Sequence, residues 1–414
     1  MPGTPPAPGT PSLLRVMNDR AALDLLLEHG PLSRTTIGRL TGLSKPTASQ
    51  LLARLESAGL VVATGTAAGR PGPSAQLYAL NPRAAHAGGL DVTPQGITAA
   101  VADVTGEVVG RYELPSRAGT PAVDQVTEAL GGAVKAAGLH HDDLHRLVIA
   151  TPGAFDPQTG RLRYAGHLPG WHSPTLLDEL AAALPMPVGY ENDVNLAAVA
   201  EQRLGAARGH QDFVLLWNED GLGAALVLGG RLHRGWTGGA GEVGFLPVPG
   251  HPLVRQVTRA NTGGYQELAG VQVLPRLAAE LGIEAGPEQA APDGPGGPQV
   301  AYGPQVAAAV ALLERAAATP EGPYLRFLES YATALATGLA SLVAVLDPEI
   351  VILSGAAVTA GGEPLRTLLE SEIGELAPSR PRLVTGEVRE RPVLRGALES
   401  ALAATRDEVF DTSR

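Results

Sequence analysis

The segment that most restricts the fold of this chain lies between residues 30 and 61, where two short helices are predicted around a glycine. Ser33 is a predicted N-cap, because its hydroxyl can accept a hydrogen bond from a free amide in the first helical turn. Gly42 permits the left-handed backbone conformation that a tight corner between helices requires. Ser44 caps the second helix, and Pro46 occupies its first turn, where a missing N–H has little effect. The pattern predicts a helix-turn-helix.

The residues after the second helix indicate a two-stranded hairpin. Short strand signals at Gly59–Thr64 and Gln76–Leu80 flank the turn TAAGRPGPS. Three helices followed by a hairpin is the order of a winged helix-turn-helix, which we predict over residues 12–83. Residues 1–11 are rich in Pro, Gly and Thr and are predicted to form a disordered tail.

The N-terminal end of the second helix is the part that a helix-turn-helix inserts into the major groove of DNA. The candidate DNA contacts on this helix are Ser44, Lys45, Thr47, Ala48, Ser49, Gln50 and Arg54. Arg70, in the turn between the hairpin strands, is a candidate for insertion into a minor groove. An ordinary helical hairpin with a solvated face and a solvated loop arginine are the alternatives.

The distribution of charge agrees with a DNA-contacting module on an acidic body. The chain has a net charge of −11, but residues 1–83 carry eight basic side chains against four acidic ones. Only the contacting surface must attract phosphate, so an acidic total does not exclude DNA binding. A chance asymmetry is the alternative.

Composition excludes several classes of protein. The chain has no cysteine, which excludes disulfides, thiolate zinc sites and cysteine nucleophiles. Although 44% of the residues are hydrophobic, no run approaches the roughly 18–20 apolar residues of a membrane helix, and the N-terminus has no signal pattern. We expect a soluble, cytoplasmic protein without membrane contact.

From residue 88 onward, strand and helix signals alternate, which indicates an α/β body. Residues 88–114 predict two or three strands with tight turns at Gln95–Gly96 and Thr105–Gly106. Further strands are predicted at Leu147–Ala150, Phe213–Trp217, Ala224–Leu228 and Ile350–Leu353, and helices at Thr175–Leu184, Asn195–Leu204 and Leu325–Leu346. The stretch Gly282–Gln305 has too much Gly and Pro to pack and is predicted to be a surface loop.

Two motifs in this body carry the polar chemistry of a small-ligand site. Asn192 and Asp193 precede a predicted helix, where an amide and a carboxylate can converge on neighbouring hydroxyl groups of a polyol. Glu242 lies in a glycine-rich turn, which lets the backbone approach a ligand. Helix capping and surface solvation are the alternatives for each residue taken singly.

The order of the motifs resembles that of the ROK family of repressors, open reading frames and sugar kinases. After the winged helix come GGLDVT, VIATPGAFD, YENDVNLAAVAE, DGLGAALVLGG, GGAGEVGF and EIVILSGAAV. The resemblance extends from about residue 13 to residue 403. It implies a two-lobed, actin-like ATPase fold of the ribonuclease H-like type, with lobes at 84–200 and 201–405 and the ligand in the cleft.

The resemblance also implies roles for individual residues. The positions that match sugar contacts of the family are Asn192, Asp193, Glu242 and Glu267. Asp193 matches the general base of the family's kinases, and it would be catalytic only if this chain were a kinase. We expect the ligand to be a small molecule, and the family suggests a sugar.

Two departures from the family pattern argue against cofactors. The first phosphate motif keeps Asp91, but Thr93 replaces its close-approach glycine and no lysine follows, so we expect neither tight ATP binding nor enzymatic activity. The positions that match the family's zinc ligands hold Phe245, Thr258, Ala260 and Tyr265. We therefore expect no zinc site, because zinc needs about four nitrogen or sulfur ligands in fixed geometry.

Together these features predict a transcriptional repressor that binds double-stranded operator DNA as a homodimer, with a tetramer as the alternative. A small-molecule effector would change its DNA affinity, because a ligand shifts an equilibrium between conformations that it binds unequally. Two other functions remain open. One is an ATP-dependent sugar kinase with a DNA-binding appendage, and the other is a constitutive DNA-binding scaffold with a vestigial pocket.

Overall fold

Three helices and a small sheet form the N-terminal domain. The computed structural model describes residues 11–66, 75–117, 119–163, 168, 170–254, 263–284 and 303–412. The elements of this domain are α1 (Pro11–His29), β1 (Leu32–Ser33), α2 (Arg34–Thr41), α3 (Lys45–Ser57), β2 (Val61–Thr66) and β3 (Gln76–Leu80). The strands pair antiparallel in the order β1-β3-β2. This is the predicted winged helix-turn-helix.

The corner between α2 and α3 forms as its caps predict. Ser33 Oγ accepts a hydrogen bond from the backbone N–H of Thr36 at 3.2 Å, and Ser44 Oγ accepts one from Thr47 at 3.4 Å. Gly42 follows α2 with a φ of 71°, in the left-handed region. Both predicted N-caps and the turn glycine are therefore confirmed.

The first strand of the wing differs from its prediction at both ends, since β2 runs from Val61 to Thr66 instead of Gly59 to Thr64. β3 has the predicted bounds, but β2 begins at Val61 because Gly59, with a φ of 72°, ends the preceding helix and does not start a strand. Arg70 lies outside the described residues, as do residues 1–10 of the predicted tail. Pro11, which the tail prediction included, begins α1.

The first lobe of the body is a five-stranded sheet. Its elements are β4 (His86–Thr93), β5 (Gly96–Asp103), β6 (Val108–Pro115), α4 (Ala122–Ala136), β7 (Leu144–Thr151), β8 (Ala154–Phe155), β9 (Leu162–Arg163), α5 (Leu176–Ala183), β10 (Val188–Asn192) and α6 (Asp193–Leu204). The sheet order is β10-β7-β4-β5-β6. Strands β4, β5 and β6 form an antiparallel meander, whereas β7 and β10 are parallel to β4. Leu130 and Leu180 of α4 and α5 pack with Leu147 of the sheet.

The second lobe repeats this topology. Its elements are β11 (Phe213–Asn218), β12 (Leu222–Leu228), β13 (Arg231–Leu232), α7 (Gly264–Ala269), α8 (Leu274–Glu280), α9 (Pro304–Ala318), α10 (Gly322–Leu346), β14 (Ile350–Ser354), α11 (Ala356–Leu376), β15 (Arg382–Thr385) and α12 (Pro392–Val409). The order β15-β14-β11-β12-β13 matches the first sheet strand for strand, again with a meander followed by two parallel strands. The duplication is that of the predicted two-lobed α/β fold.

The last helix, α12, returns to the first lobe. Leu394 and Leu398 pack in one apolar cluster with Ala87 of β4 and Ala100 of β5. A Cβ at position 396 would overlap the backbone of α6, so a glycine is required there. Helices α6 and α12 also contact the sheet of the second lobe, so they form the joint between lobes. The division at 201–405 assigns α12 to the second lobe, but its packing joins it to the first.

Helix α10 is apolar enough to be compared with a membrane span. Among the described residues it is the one helix whose length and composition would permit a crossing, and half of its most apolar window is buried. Phe327, Leu335 and Leu339 are fully buried in the core that α10 shares with α9 and α11. We therefore assign α10 to the interior of the second lobe.

The predicted loop Gly282–Gln305 ends earlier than expected. Residues 285–302 lie outside the described part of the chain, and α9 already begins at Pro304. Proline favours the first turn of a helix, where its missing N–H has no intrahelical partner, so Pro304 starts the helix. The last two residues of the predicted loop are therefore helical.

Candidate functional site

The N-terminal end of α3 presents a polar surface to solvent. The exposed predicted contacts are Ser44, Lys45, Thr47 and Gln50. Ser49 is half-buried, and its hydroxyl accepts a hydrogen bond from Arg34 of α2 at 3.0 Å. The side chains that could meet base edges therefore come from one turn and a half of helix, next to a second basic residue from α2.

Ala48 does not belong to this surface, which corrects the prediction. Its side chain is fully buried, and it lies next to Gly38 of α2, where an added Cβ would be 3.5 Å from the Ala48 methyl. The tighter contact of that Cβ would be with the Leu43 carbonyl oxygen at 3.2 Å, so the two helices approach each other closely at this point. Ala48 sets the helix spacing and has no access to DNA in this conformation.

Arg54 has a structural partner that the sequence did not reveal. Its guanidinium donates to the carboxylate of Asp19 at 2.5 Å, and that carboxylate is 3% exposed. The hydroxyl of Thr412, beyond the end of α12, donates to the other oxygen of Asp19 at 3.1 Å. Arg54 therefore neutralises a buried acid at the base of the winged helix, where the C-terminal segment also attaches.

The cleft between the lobes collects carboxyl groups from four separate elements. Asp91 lies on β4, Asp193 begins α6, Glu219 follows β11 and Glu242 precedes the turn Val243–Phe245. Strands β4, β7 and β10 are parallel, so their carboxyl ends open onto the same edge, where open α/β sheets bind ligands. The topology thus brings together acids that are up to 151 residues apart in the sequence.

Burial raises the pKa of each of these acids, and repulsion from neighbouring acids adds to the increase for Asp193 and Glu219. Burial raises the pKa of Asp193 to about 7, and the charges of Asp91 and Glu242 contribute to the increase. Burial raises the pKa of Glu242 to about 7 and that of Asp91 to about 6, although Arg391 opposes the increase for Asp91. Groups that change charge near neutral pH inside a cleft are typical of functional sites.

The side chain of Asn192 makes its hydrogen bonds within the protein. Its Oδ1 accepts from the backbone N–H of Asn195 at 3.0 Å, which caps α6, and its Nδ2 donates to Gly153 O at 3.0 Å and to Asp193 Oδ1 at 2.9 Å. Asp193 Oδ1 also accepts from the backbone of Val194 at 2.8 Å. The observed role of Asn192 is therefore to cap the helix and to orient the Asp193 carboxylate.

Glu191 is a site residue that the sequence reasoning missed. One of its oxygens accepts from Asn195 Nδ2 at 2.8 Å, and the other pairs with the Arg234 guanidinium at 2.6 Å. Glu191 is 12% exposed, and Arg234 lies in the segment that leads to Glu242. This ion pair ties the start of α6 in one lobe to the glycine-rich turn of the other. Glu191 is the first residue of the sequence Glu-Asn-Asp-Val-Asn at positions 191–195, so its place next to Asn192 and Asp193 could have indicated it.

The elements next to Glu242 and around Glu267 pack against each other. Helix α7, which carries Glu267 in its first turn, packs against the turn Val243–Phe245 that follows Glu242. Gln266 links α7 to the start of β12, because its Oε1 accepts a hydrogen bond from the backbone N–H of Leu222 at 2.7 Å. The structure therefore places the helix that carries Glu267 beside the turn that follows Glu242.

Comparison with known proteins identifies the family. Residues 87–403 match the sequence profile of the ROK family. The chain belongs to this family. A MarR family profile matches residues 18–70, which span most of α1 and continue past β2.

Both repressors and kinases are relatives of this ROK protein. It is 23% identical over 402 residues to a putative xylose repressor of Caldicellulosiruptor sp., which covers 95% of this chain and 98% of the relative. It is 26% identical over 286 residues to a glucokinase of Halalkalibacterium halodurans, covering 68% of this chain and 83% of the relative. A solved ROK family transcriptional regulator, described as a homologue of the E. coli MLC protein, shares the fold with a TM-score of 0.66 at 20% identity, over 96% and 99% of the two chains.

The first phosphate motif of this ROK protein is a tight hairpin. Thr93 pairs with Gly96, and its hydroxyl donates to the Gly96 carbonyl at 3.2 Å, so only two residues form the turn. One of them is Pro94, which has no N–H. A phosphate cradle uses several backbone N–H groups directed at one point, and Pro94 cannot supply one of them.

The described zinc positions do not fit a metal. Tyr265 is fully buried, and its hydroxyl donates to the Leu335 carbonyl at 2.5 Å, while Phe245 is half-buried in the turn after Glu242. Neither side chain offers a nitrogen or sulfur ligand. Thr258 and Ala260 lie outside the described residues.

Proposed function

We propose that this ROK protein is a transcriptional repressor whose affinity for operator DNA depends on a small molecule bound in the interlobe cleft. The observation that carries the proposal is that a winged helix with an exposed, lysine-bearing recognition helix packs directly on α12, a helix of the sensor body. A repressor needs such a contact, because a ligand affects DNA binding only through a difference between two conformations.

For the DNA-binding half, we propose that Lys45, Thr47 and Gln50 meet the major groove. They are exposed at the N-terminal end of α3, which is the end that helix-turn-helix proteins insert. Two copies in a homodimer would place their recognition helices on a pseudo-palindromic operator, about one helical turn of DNA apart. The full-length similarity to a putative xylose repressor supports this half of the proposal.

For the sensor half, we propose a sugar or a related polyol as the effector. Asp193 and Glu242 present carboxyl groups that can each accept hydrogen bonds from neighbouring hydroxyls, and Glu267 lies beside them on α7. Asn192 would support the site by orienting Asp193. The kinship with a glucokinase and with a putative xylose repressor favours a sugar.

The experiment that tests this function is operator binding by the full chain. The DNA of its own upstream region is titrated by fluorescence anisotropy at several salt concentrations, for the wild type and for Lys45→Ala and Lys135→Ala. These are the two lysines of the chain and both are exposed, but Lys135 lies in the last turn of α4, outside the winged helix. We expect Lys45→Ala to weaken binding by about 1–3 kcal/mol and Lys135→Ala to have no effect. Equal effects would contradict the assignment of α3.

A second candidate function, sugar phosphorylation, is favoured by one observation. The pKa of Asp193, raised to about 7 by burial, suits a general base. We propose that the chain nevertheless acts without phosphoryl transfer, because its first phosphate motif lacks a lysine and contains Pro94. An ADP-release assay with hexoses and pentoses tests this directly. Turnover that is lost in Asp193→Asn would establish the kinase instead.

A further inference from the structure

A cavity of about 380 Å³ lies beside the proposed sugar site, between the ends of both sheets. Trp217 and Glu219, at the end of β11, form one wall, and the first residues of α11 form another. Asp91 reaches it from the first lobe, and Glu314 from α9. In the family fold a nucleotide would lie in such a cleft, and its phosphate groups would then contact these residues.

The feature that would bind a phosphate here is the N-terminus of α11. The helix follows β14 through Gly355, whose φ is 89°, and it is interrupted by a kink at Gly362, where φ is 55° and ψ is −152°. A Cβ at 355 would lie 2.7 Å from Asn218 O and 2.8 Å from Asn218 N, so the glycine lets the two parallel strand ends meet. Free N–H groups and the helix dipole make such a terminus attractive to anions.

A carboxyl group of the chain already occupies this position. Glu219 Oε2 accepts a hydrogen bond from the backbone N–H of Ala356, the first residue of α11, at 3.2 Å. The surroundings oppose any further negative charge. Burial raises the pKa of Glu219 to about 8, and the charges of Asp220, Asp91 and Asp193 contribute to that increase.

The arginines of the cavity do not offset the negative charge of these acids. Arg391 donates to Thr98 at 3.0 Å and to Glu113 at 2.5 Å, so its guanidinium is held by the first lobe. Arg389 is exposed at the rim. The one side chain that is hydrogen-bonded to the Ala356 N–H among the described residues is therefore an acid, Glu219.

We propose that Glu219 is an internal substitute for a phosphate, which blocks the N-terminus of α11 and makes the cavity select ligands without phosphate groups. The cavity then admits neutral or cationic molecules and rejects nucleotides. This inference goes beyond the proposed repressor function and does not depend on it, since it concerns an adjacent cavity and needs no DNA for its test.

Calorimetric titration of the full-length chain with pyrophosphate and with ADP tests the proposal. The variants are Glu219→Ala, which empties the position, and Glu219→Gln, which keeps its shape and its hydrogen-bond acceptor. Glu314→Gln is the matched control, because it removes an acid from the same cavity but not from the helix terminus. Circular dichroism and thermal unfolding verify that each variant is folded.

We expect no saturable binding of pyrophosphate to the wild type and a gain of about tenfold or more in affinity for both probes in Glu219→Ala, the order of one charge-assisted hydrogen bond. Glu219→Gln should gain less, because the amide still fills the position, and Glu314→Gln should resemble the wild type. The proposal is wrong if folded Glu219→Ala gains no affinity, if the wild type already binds pyrophosphate equally well, or if Glu314→Gln gains as much.

Discussion

The guanidinium of Arg20, in the first helix of the winged domain, donates to the carboxylate of Asp407, on the last helix of the body, at 2.9 Å. The same guanidinium lies over the ring of Phe410, with 5.6 Å between its central carbon and the ring centroid. Phe410 is 1% exposed and belongs to the apolar core of the winged helix, together with Leu23 and Leu55. The end of α12 is therefore an integral part of the DNA-binding domain.

The other end of α12 lies at the cleft. Arg391 precedes the helix and contacts Thr98 and Glu113 of the first lobe, and Pro392 and Val393 line the cavity that Asp91 also reaches. A helix of 18 residues spans about 27 Å. One helix thus joins the proposed ligand region to the winged helix, and a movement of the lobes that displaces α12 would move the proposed recognition helix α3 with it.

Replacing Phe410 by Ala should detach the winged helix from the body. Removal of a fully buried phenyl ring typically lowers the free energy of unfolding by about 3–5 kcal/mol. We expect about 3 kcal/mol in chemical denaturation, with hydrogen exchange accelerated most in α1 and α3. Val345→Ala is the control, because Val345 is 82% exposed and its truncation should change stability by no more than about 0.5 kcal/mol. A loss confined to the body's sheets would contradict this assignment of Phe410.

Substitutions of Ala48 and Gln50 should have different effects, although both residues lie on α3. Ala48→Leu forces a larger side chain against Gly38, so we expect a loss of about 1–3 kcal/mol in stability. Gln50 is exposed, and Gln50→Ala should leave stability nearly unchanged while altering the preference among operator sequences. Denaturation curves and binding to a panel of single-base operator variants separate the two effects. If Ala48→Leu were as stable as the wild type, the close contact with α2 would be wrong.

Asp193→Asn should stabilise the protein at neutral and alkaline pH. The pKa of Asp193 is about 7 in the folded protein against 3.8 for the free group, so the folded state retains a proton that the unfolded chain has lost. Stability associated with that proton is complete below pH 4 and is lost as pH rises through 7. The amide cannot ionise, so the variant should exceed the wild type by about 1 kcal/mol or more at pH 8 and by little at pH 4. Asp142→Asn, at an exposed aspartate, should show no such divergence in thermal unfolding.

Local physics accounts for the parts of the fold and site that the sequence predicted. The caps Ser33 and Ser44 depend on hydrogen bonds that span three residues, and those at the Gly42 turn span four and five, so all of them are local and can be recognised without a structure. The acids Asp193 and Glu242 stood out because each adjoins a helix start or a glycine-rich turn.

The remaining features depend on contacts between distant parts of the chain. Ala48 is an exception, because it lies three, four and seven positions before the buried residues Leu51, Leu52 and Leu55, so the helical period of α3 alone indicates its burial. Arg20 and Asp407 are 387 positions apart, so the attachment of α12 to the winged helix has no local signal. In the sequence, Glu219 is indistinguishable from an exposed acid that follows a strand. Only the contact between the end of β11 and the start of α11 shows that its carboxyl group binds the N-terminus of a helix.

Arg234→Ala should loosen the glycine-rich turn that carries Glu242. The substitution leaves Glu191, which is 12% exposed, with Asn195 as its remaining side-chain partner but without its cation. We expect a loss of about 1 kcal/mol, because Arg234 itself is 55% exposed and solvent screens the pair. Hydrogen exchange should accelerate in residues 233–242 and at the start of α6, since the pair links these two segments.

Two further variants test whether the lost ion pair causes the decrease in stability of Arg234→Ala. Glu191→Gln combined with Arg234→Ala should recover part of the lost stability, because the partly buried position then carries no unpaired charge. Arg231→Ala removes a neighbouring exposed arginine and should leave both stability and exchange unchanged. If the double variant were as unstable as the sum of its single changes, the ion pair would not be what holds the turn against α6.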